Sequence, residues 1–415
     1  MAPFPMVKLA DCVDLLAGFA FKSQHFTDKT DDIPLVKGEN VSQGCILWEI
    51  SKRWTSADWP NLEKFQLRSG DVIVAMDRPW VPAGLKWAYI RKGDPKALLV
   101  QRCSRLRSNT PRLDQDFLRF VIGGPGFESY VIPITTGVNV PHISGKQILD
   151  YEFPLPPLPV QQRIAGILSA YDELIENSQR RIKILESMAR ALYREWFVNF
   201  RFPGHESVPR VPSPLGEIPQ GWEVKPIHSF GRVVTGKTPS KANADFYGHD
   251  VPFVKTPDMH GNLYILGTSE RLSTSGAQSQ ANKTLPSGTI CVSCIGTIGV
   301  VTITTEDCQT NQQINSVILA HEVSREFLFF RLQDAKQTLE NLGANGATMG
   351  NVNKGKFESM EIVSPPRDLL AEYHRLVRPM FNEILALSRQ TQNLRCTRDL
   401  LLPRLLSGQI DPKEI

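Results

Sequence analysis

The chain contains two copies of one sequence pattern, and this repeat limits its possible folds more than any other feature. The segment IPLVK at 33–37 returns as VPFVK at 251–255, and SGKQILDYEFPLPP at 144–157 returns as NKGKFESMEIVSPP at 353–366. The two copies of the second segment lie closer together along the chain than the two copies of the first segment. Because deletions are tolerated best in surface loops, the second copy has lost loop residues. The repeat therefore predicts two domains with a common fold.

A long helical segment follows each copy. Apolar or small residues recur at steps of three or four from Val160 to Trp196, and again from Leu370 to Leu405. Such a narrow stripe is typical of a coiled coil. About 38 residues at 1.5 Å per residue give rods of about 55–60 Å. Pro379 predicts a kink or a restart in the second helix.

Two stripes of equal length favour antiparallel pairing of the helices over separate packing of each helix on its own domain. The residues predicted to make this pairing are Ile164, Ile167, Tyr171, Leu174, Leu185, Leu192, Tyr373, Val377, Ile384, Leu387, Leu394 and Leu401.

These features predict an α+β fold with two tandem mixed α/β domains, each followed by a long helix, and with the two helices paired as an antiparallel coiled coil. The predicted domains span 1–158 and 221–366, and the helices span 159–199 and 367–415. A Pro-rich linker is predicted at 200–220, extended and semi-rigid. A docking peptide based on its P-x-x-P spacing is the alternative.

Composition narrows the class of protein. An apolar content of 41% and a charged content of 22% are ordinary for a globular protein. The sequence shows neither a signal-peptide pattern nor a bilayer-length apolar run, so a cytoplasmic location is expected. The seven cysteines are scattered, and Cys291 and Cys294 lack a second ligand pair, so neither disulfides nor a metal site is predicted. A net charge of +4 permits a nucleic-acid partner without requiring one.

One short motif suggests a nucleotide hydrolase as an alternative function. Residues 231–238, GRVVTGKT, satisfy the phosphate-loop pattern G-x-x-x-x-G-K-[ST]. The first copy has Val13 and Phe19 where the pattern requires glycine and lysine. Pro239 also disfavours helical geometry at the preceding threonine, which a phosphate loop needs. The match is interpreted as accidental.

Basic, aromatic and amide side chains suggest contacts to nucleic acid. Cations can meet phosphates while rings stack, Asn and Gln can read adenine, and Arg and Lys can read guanine. A solvated surface role is the alternative for each residue. The candidates are Lys22, Ser23, Lys37, Arg78, Trp80, Lys86, Trp87, Tyr89, Arg102, Lys237, Thr238, Ser240, Lys255, Asn311, Gln312 and Gln313.

Six strings in a fixed order carry a resemblance to a known family. They are GFAFKSQHF (18–26), FPLPPLPVQQRIAGIL (153–168), IPQGWEVKPI (218–227), SCIGTIG (293–299), TNQQIN (310–315) and RDLLLPRLLSGQI (398–410). Within the two-copy layout, the chain resembles the DNA-specificity (S) subunit of a Type I restriction–modification enzyme over nearly its whole length.

The resemblance implies that the two mixed domains are target-recognition domains, with Lys22, Ser23, Lys237 and Thr238 in DNA-facing loops. It implies that the helices form a spacer and dock two modification (methyltransferase) subunits, and through them a restriction subunit. Two unlike domains are then expected to read a bipartite, asymmetric double-stranded target.

The sequence lacks the N-P-P-[FY] motif of adenine methylation and the P-D…[DE]-x-K nuclease pattern, so a non-catalytic subunit is expected. S-adenosylmethionine, ATP and Mg are expected in the partner subunits, and no cofactor is expected on this chain. A coiled-coil scaffold that binds only proteins is the remaining alternative.

Overall fold

The structure, a computed structural model, describes residues 4–135, 140–344 and 350–413. Strands and helices are mixed along this part of the chain, which confirms the predicted α+β class. None of the helices in these residues is both long enough and apolar enough to cross a lipid bilayer.

The chain divides into two compact units. The first unit is built from Met1–Ile175 and Asn393–Ile415, and the second from Glu176–Gln392. Two long helices contribute residues to both units. Each unit therefore combines a mixed domain with part of each long helix.

The first unit is built on β-sheets. Its strands are β1 (Met6–Lys8), β2 (Val13–Ala17), β3 (Ile33–Val36), β4 (Arg53–Trp54), β5 (Val72–Ala75), β6 (Trp80–Val81), β7 (Gly84–Leu85), β8 (Trp87–Tyr89), β9 (Leu98–Leu99), β10 (Cys103–Ser108) and β11 (Glu152–Pro154). The largest sheet has the antiparallel order β2-β10-β5-β8, and a smaller sheet has the order β4-β3-β9. Strand β5 reads VIVA and is fully buried, as expected for a β-branched strand covered on both faces.

Helices cover the sheets of the first unit. They are α1 (Gln115–Ile122), α2 (Pro125–Ile134), α3 (Gly145–Leu149) and the beginning of α4 (Leu158–Tyr193). Helix α1 starts where the side chain of Asp114 accepts a hydrogen bond from the amide of Phe117 at 2.9 Å. Helix α3 starts at a capping box between Ser144 and Gln147. Both helices therefore begin at residues that satisfy otherwise unpaired amide groups.

The second unit repeats this plan with more strands. They are β12 (Arg210–Ser213), β13 (Gly216–Pro219), β14 (Glu223–Pro226), β15 (Gly231–Thr235), β16 (Tyr247–Val254), β17 (Tyr264–Ile265), β18 (Glu270–Leu272), β19 (Ile290–Ser293), β20 (Val301–Thr304), β21 (Gln309–Thr310), β22 (Ile314–Leu319) and β23 (Glu361–Ser364). The main sheet has the order β15-β22-β19-β20-β17, and a second sheet has the order β18-β16-β21. The helices are α5 (Thr274–Gln278), α6 (Arg325–Asp334), α7 (Lys336–Gly343), α8 (Lys354–Glu358) and α9 (Arg367–Leu406).

Strand registers identify equivalent residues in the two units. Leu35 pairs with Leu98 in the first unit, and Phe253, which lies 218 residues after Leu35, pairs with Gln309 in the second. Strand β10 then follows β9, and β22 follows β21, after connections of equal length at 100–102 and 311–313. Val100, Gln101 and Arg102 are therefore the counterparts of Asn311, Gln312 and Gln313.

Each unit has its own apolar core, in which segments of both long helices take part. In the first unit, Ile164 and Leu168 of α4 belong to the same buried cluster as Leu405 of α9. Arg398 of α9 donates to Asp172 of α4 at 2.7 Å. The start of α4 is thus paired with the end of α9.

The second unit contains the complementary pairing. The hydroxyl of Tyr373 in α9 donates to the carbonyl of Ala189 in α4 at 3.2 Å, and Arg181 donates to Glu383 at 2.5 Å. The end of α4 is thus paired with the start of α9. Within each unit the helices run antiparallel, as the apolar stripes predicted.

One residue of the predicted stripe is misplaced. Leu174 is 49% exposed, whereas Ile175 is 6% exposed and takes the buried position. Leu168 is also buried, one heptad before Ile175, while its neighbour Ile167 is only half-buried. A straight α-helix drifts by about 20° per heptad against a strict 3.5-residue repeat. Between residues 167 and 175 the buried face therefore lies one residue further along the helix than the predicted stripe, whereas Ile164 and Trp196 of that stripe are buried.

Of the kink or restart predicted at Pro379, the restart is wrong and the kink stays a prediction. Helix α9 runs without interruption from Arg367 to Leu406. Pro379 itself is exposed. The carbonyl group that a proline leaves without its helical partner can then be hydrogen-bonded by water.

The Pro-rich segment is more structured than its composition predicts. Strands β12 and β13 form an antiparallel hairpin within it. Phe202, Ile218 and Trp222 are buried in the core of the second unit. Because proline donates no ladder hydrogen bond, it is accepted in such a two-stranded edge. The segment is therefore a folded part of the second unit rather than a plain extended connector.

Candidate nucleic-acid interface

Two glycine-containing loops have the same local structure in the two units. A Cβ atom on Gly18 would lie 2.3 Å from the carbonyl oxygen of Val100, and one on Gly236 would lie 2.2 Å from the carbonyl oxygen of Asn311. Real Cβ atoms do not approach backbone this closely, so only glycine fits. The glycine of GKT is thus explained by backbone packing.

The GRVVTGKT segment does not form a phosphate loop. Gly231–Thr235 is strand β15, and the amide of Lys237 donates to the carbonyl of Thr310 at 2.9 Å. The next helical turn is the 3-10 helix Ala244–Phe246, well beyond Thr238. A phosphate loop needs its lysine and threonine in the first turn of a helix. This geometry excludes a phosphate-binding loop at the motif.

An open cleft in the first unit brings together five of the predicted DNA contacts. It has a volume of about 490 Å³. The predicted residues that line it are Ser23, Lys37, Arg78, Lys86 and Arg102, and we name it the first cleft. The sequence candidates therefore converge from four separate parts of the chain onto one surface.

The backbone is strained at two residues of the first cleft. Arg78 has a φ of 46° and Arg102 has a φ of 69°, in the left-handed region that L-residues avoid. Such a conformation costs about 1–2 kcal/mol for a residue with a Cβ atom. Strained residues concentrate at binding sites, where the surrounding structure holds them. Two strained arginines in one cleft therefore point to a functional role.

Charge in the first cleft is predominantly positive. Four of its lining residues are cations, whereas the carboxylates are Glu39 and Asp77. Lys37 Nζ lies 3.0 Å from Glu39, and Lys86 donates to the carbonyl of Gly38. Burial lowers the pKa of Lys86. An anion entering the cleft would add a further partner for these cations.

Asp77 positions Arg102. One oxygen of this carboxylate lies 3.5 Å from Nη1 of Arg102 and 2.7 Å from Nδ1 of His142. The side chain of Arg102 is nevertheless 61% exposed. Its guanidinium is thus held on one side and open on the other.

The aromatic candidates of the first unit divide into two groups. Trp80 is exposed and its Nε1 donates to Glu128 at 2.7 Å. Trp87 and Tyr89 pack against the core, and Arg119 covers Tyr89 at 4.2 Å from the ring centre. The stacking role predicted for Trp87 and Tyr89 does not fit this position. The reason is that strand β8 is covered on both faces, since Ala88 between them is also buried.

The second unit has an amide cluster at the equivalent place, formed by Thr238, Asn311, Gln312 and Gln313. Thr238 Oγ1 donates to Gln312 Oε1 at 2.6 Å, and Asn311 Nδ2 donates to Gln313 Oε1 at 3.0 Å. Thr256 Oγ1 lies 3.4 Å from the same oxygen of Gln313. Hydroxyl and amide groups thus order one another next to the Gly236 loop.

The remaining candidates lie around these two sites. Lys22, Lys237 and Ser240 are exposed. Lys255 is half-buried and forms an ion pair with Glu270. Its pairing makes Lys255 a structural residue as well as a candidate contact.

Two features of the site were missed by sequence reasoning. Gln101, the counterpart of Gln312, lines the first cleft and is exposed. The strain at Arg78 was also missed, although the repeat gave a signal: GDVIVA at 70–75 matches GTICVS at 288–293, which places Arg78 opposite Gly296. Gly296 has a φ of 75°.

The closely spaced cysteines have a structural place. Cys291 lies in strand β19 and accepts a hydrogen bond from Ser316 at 3.4 Å, and Cys294, just after that strand, is buried in a different apolar cluster. Burial raises the pKa of Cys291 to about 12 and that of Cys294 to about 11. Among the described residues, no group of three or more His, Cys, Asp or Glu side chains is arranged to hold a metal ion.

Comparison with known proteins identifies relatives of the chain. The family described as Type I restriction modification DNA specificity domain matches residues 1–187 and 219–368. The Type I restriction enzyme HindI specificity subunit of Haemophilus influenzae is 29% identical over 412 residues, which cover 85% of this chain and 89% of that protein. The MjaIX specificity subunit of Methanocaldococcus jannaschii is 26% identical and covers 72% of this chain and 70% of its own length.

A solved structure shares the fold. The crystal structure of a Type-I restriction-modification system S subunit from M. genitalium superposes with a TM-score of 0.65. It covers 97% of this chain and 96% of its own chain at 12% sequence identity. At this identity the likeness extends to the fold alone.

Proposed function

Because the chain belongs to the DNA-specificity family of Type I restriction–modification systems, we propose that it reads an asymmetric DNA target in two parts, one half-site with each unit. Specificity subunits are non-catalytic components that recognise DNA sequence. The finer proposal concerns how this chain divides that recognition between its units.

The observation that carries the proposal is that the two units share a backbone arrangement but carry different side chains at equivalent positions. Lys37 of the first cleft is matched by Lys255, but Arg78 and Arg102 are matched by Gly296 and Gln313. The second unit has a cluster of amides and hydroxyls beside Gln313. Arginine and lysine suit guanine and phosphate, while asparagine and glutamine suit adenine. Two units with the same backbone would therefore bind two different short sequences.

The paired helices are proposed to set the gap between the half-sites and to dock two modification subunits, with a restriction subunit joining through them. Large apolar side chains lie exposed on the helices. A docked subunit could bury this apolar area, which would favour association. They are Leu174, Ile184, Met188, Leu376 and Leu400. S-adenosylmethionine, ATP and Mg would be bound by those partner subunits.

The proposal is tested by selecting DNA with the full chain in complex with its co-expressed modification subunits. A pool of random 40-base-pair duplexes is incubated with the complex, and the retained duplexes are sequenced. Two short unlike motifs separated by an unread gap of constant length are expected. A single contiguous motif, or retention without sequence preference, would contradict the proposal.

The scaffold alternative is resolved by the same selection. A coiled-coil protein that binds only proteins would leave Arg78, Lys86 and Arg102 without influence on DNA retention at low salt. Under the proposal, removing any one of these cations weakens retention and lowers its salt dependence by up to about one unit of the log–log slope.

A further inference from the structure

The connections at 100–102 and 311–313 occupy the same backbone position in the two units. The amide of Met76 donates to the carbonyl of Arg102 at 2.7 Å, and the amide of Cys294 donates to the carbonyl of Gln313 at 2.7 Å. Each connection therefore leaves its sheet by the same route and is fixed at the same point. Differences in what the two connections bind must then come from their side chains.

In the first unit the connection presents an arginine. Arg102 holds a left-handed backbone conformation, and Asp77 contacts one side of its guanidinium. The carboxylate lies 3.5 Å from Nη1 alone, so the other N–H groups of the guanidinium are left to a ligand. That arrangement is the one with which arginine reads the O6 and N7 atoms of guanine.

In the second unit the connection presents a glutamine. Gln312 is exposed, and its Oε1 accepts the hydroxyl hydrogen of Thr238. One lone pair of that oxygen and the whole amide nitrogen have no partner among the described residues. The amide nitrogen of such a glutamine can donate to N7 of adenine, and its oxygen can accept from the N6 amino group.

We propose that these connections determine sequence specificity, with Arg102 reading a guanine in the first half-site and Gln312 reading an adenine in the second. This inference rests on the proposed function and adds to it the residues that read bases and the bases they read. Gln101 is the counterpart of Gln312, but Ala20, the counterpart of Thr238, has no hydroxyl group that could order Gln101 as Thr238 orders Gln312. Arginine is therefore the reading residue in the first unit.

The test exchanges the reading residues. The full chain with its co-expressed modification subunits carries Arg102→Gln or Gln312→Arg and selects from the random duplex pool. Arg102→Gln should lower the preference for guanine at one position of the first motif about 10- to 100-fold, the range of one bidentate contact. It should leave the second motif unchanged. Gln312→Arg should replace adenine by guanine at one position of the second motif only.

Matched controls separate base reading from charge. Arg68→Gln removes an exposed arginine that precedes β5, whereas the first cleft lies beyond the other end of that strand. Gln220→Arg adds a cation at an exposed residue of the hairpin region. Neither control should alter either motif. Thr238→Val should keep adenine in the second motif but weaken its preference, because Gln312 loses its support.

The outcomes distinguish this inference from the proposed function. If the unmodified complex selects two motifs and Arg102→Gln leaves the first unchanged, the inference is overturned and the proposed function stands. A uniform loss of affinity with a smaller salt slope would show that Arg102 contacts phosphate, which also overturns the inference. If the unmodified complex selects no two-part motif, the proposed function itself fails. Thermal unfolding of each variant excludes loss of fold as the cause.

Discussion

The strained backbone at Arg78 allows stability and DNA binding to be separated by two substitutions at one residue. Its side chain is exposed, and its amide donates to the carbonyl of Pro141 at 2.6 Å, a bond that any non-proline residue can keep. Its counterpart in the second unit is a glycine at a φ of 75°. Arg78→Gly should therefore relieve strain, whereas Arg78→Ala should retain it.

The expected difference follows from two opposing effects. Relief of a left-handed conformation contributes about 1–2 kcal/mol to the glycine variant. The greater freedom of glycine in the unfolded chain costs about 0.5–1 kcal/mol relative to alanine. At the midpoints of these ranges the glycine variant should thus be more stable than the alanine variant by about 0.75 kcal/mol, and the ranges together span about 0–1.5 kcal/mol. For a unit of about 200 residues, the midpoint difference corresponds to about 1–4 °C in the melting temperature.

Two measurements on the same pair of variants test this reasoning. Thermal unfolding of the full chain should show the first unit melting later in Arg78→Gly than in Arg78→Ala. Retention of DNA across a salt series should fall equally in both variants, because both lose the same cation. An alanine variant more stable than the glycine variant would refute the assignment of strain. DNA retention equal to that of the unmodified chain would refute the role of the first cleft.

Two further predictions concern the second unit. Gly236→Ala should destabilise it by at least about 1–3 kcal/mol in urea unfolding, since the new methyl group would meet backbone atoms of Thr310 and Asn311. Gly166→Ala is the control and should be neutral or stabilising, because a Cβ there meets nothing within 4 Å. A larger loss of stability in Gly166→Ala than in Gly236→Ala would contradict this packing. Burial raises the pKa of Glu186 above its usual value, against the opposing effect of the nearby Arg190 and Lys183. Its ionised form is therefore disfavoured in the folded chain, and this penalty is absent below the unfolded pKa and grows as pH rises past it. Glu186→Gln should stabilise the chain at pH 7 and have no effect near pH 4, and an equal effect at both pH values would exclude burial as the cause.

Much of the fold could be predicted because it depends on features that are local in sequence. The repeat revealed two equivalent domains, and the spacing of apolar residues revealed two long helices. The exact buried face of α4 could not be predicted, because Ile167 and Leu174 satisfy the same spacing as Leu168 and Ile175. Contacts with surfaces distant in sequence decide between such neighbouring faces.

The candidate site was predictable by residue type but not by position. Five predicted contacts meet in the first cleft, yet Trp87 and Tyr89 belong to a strand that is covered on both faces. The sequence of a short strand with aromatic and basic neighbours does not show whether one face of the strand or both faces are buried. The equivalence of Arg102 with Gln313 likewise required strand registers, because the sequence between the copies of β3 and β9 differs in length.

The central claim, that the paired helices hold two reading units at a set spacing along DNA, is tested most directly by lengthening both helices where the units divide. Four residues inserted after Ile175 and four after Gln392 add about 6 Å and about 40° of rotation to each helix. One to two additional base pairs lengthen a DNA duplex by about 3.4–7 Å and rotate it by about 35–70°, which matches this change in the helices.

Methylated sites are then mapped by single-molecule sequencing in cells that carry the variant with its modification subunits. The same four residues inserted between Pro214 and Leu215, in the exposed turn of the β12–β13 hairpin, serve as the control and should change nothing. The account predicts that the helix insertions lengthen the gap by one to two base pairs and leave both half-sites unchanged. An unchanged gap, or altered half-sites with the original gap, would contradict it.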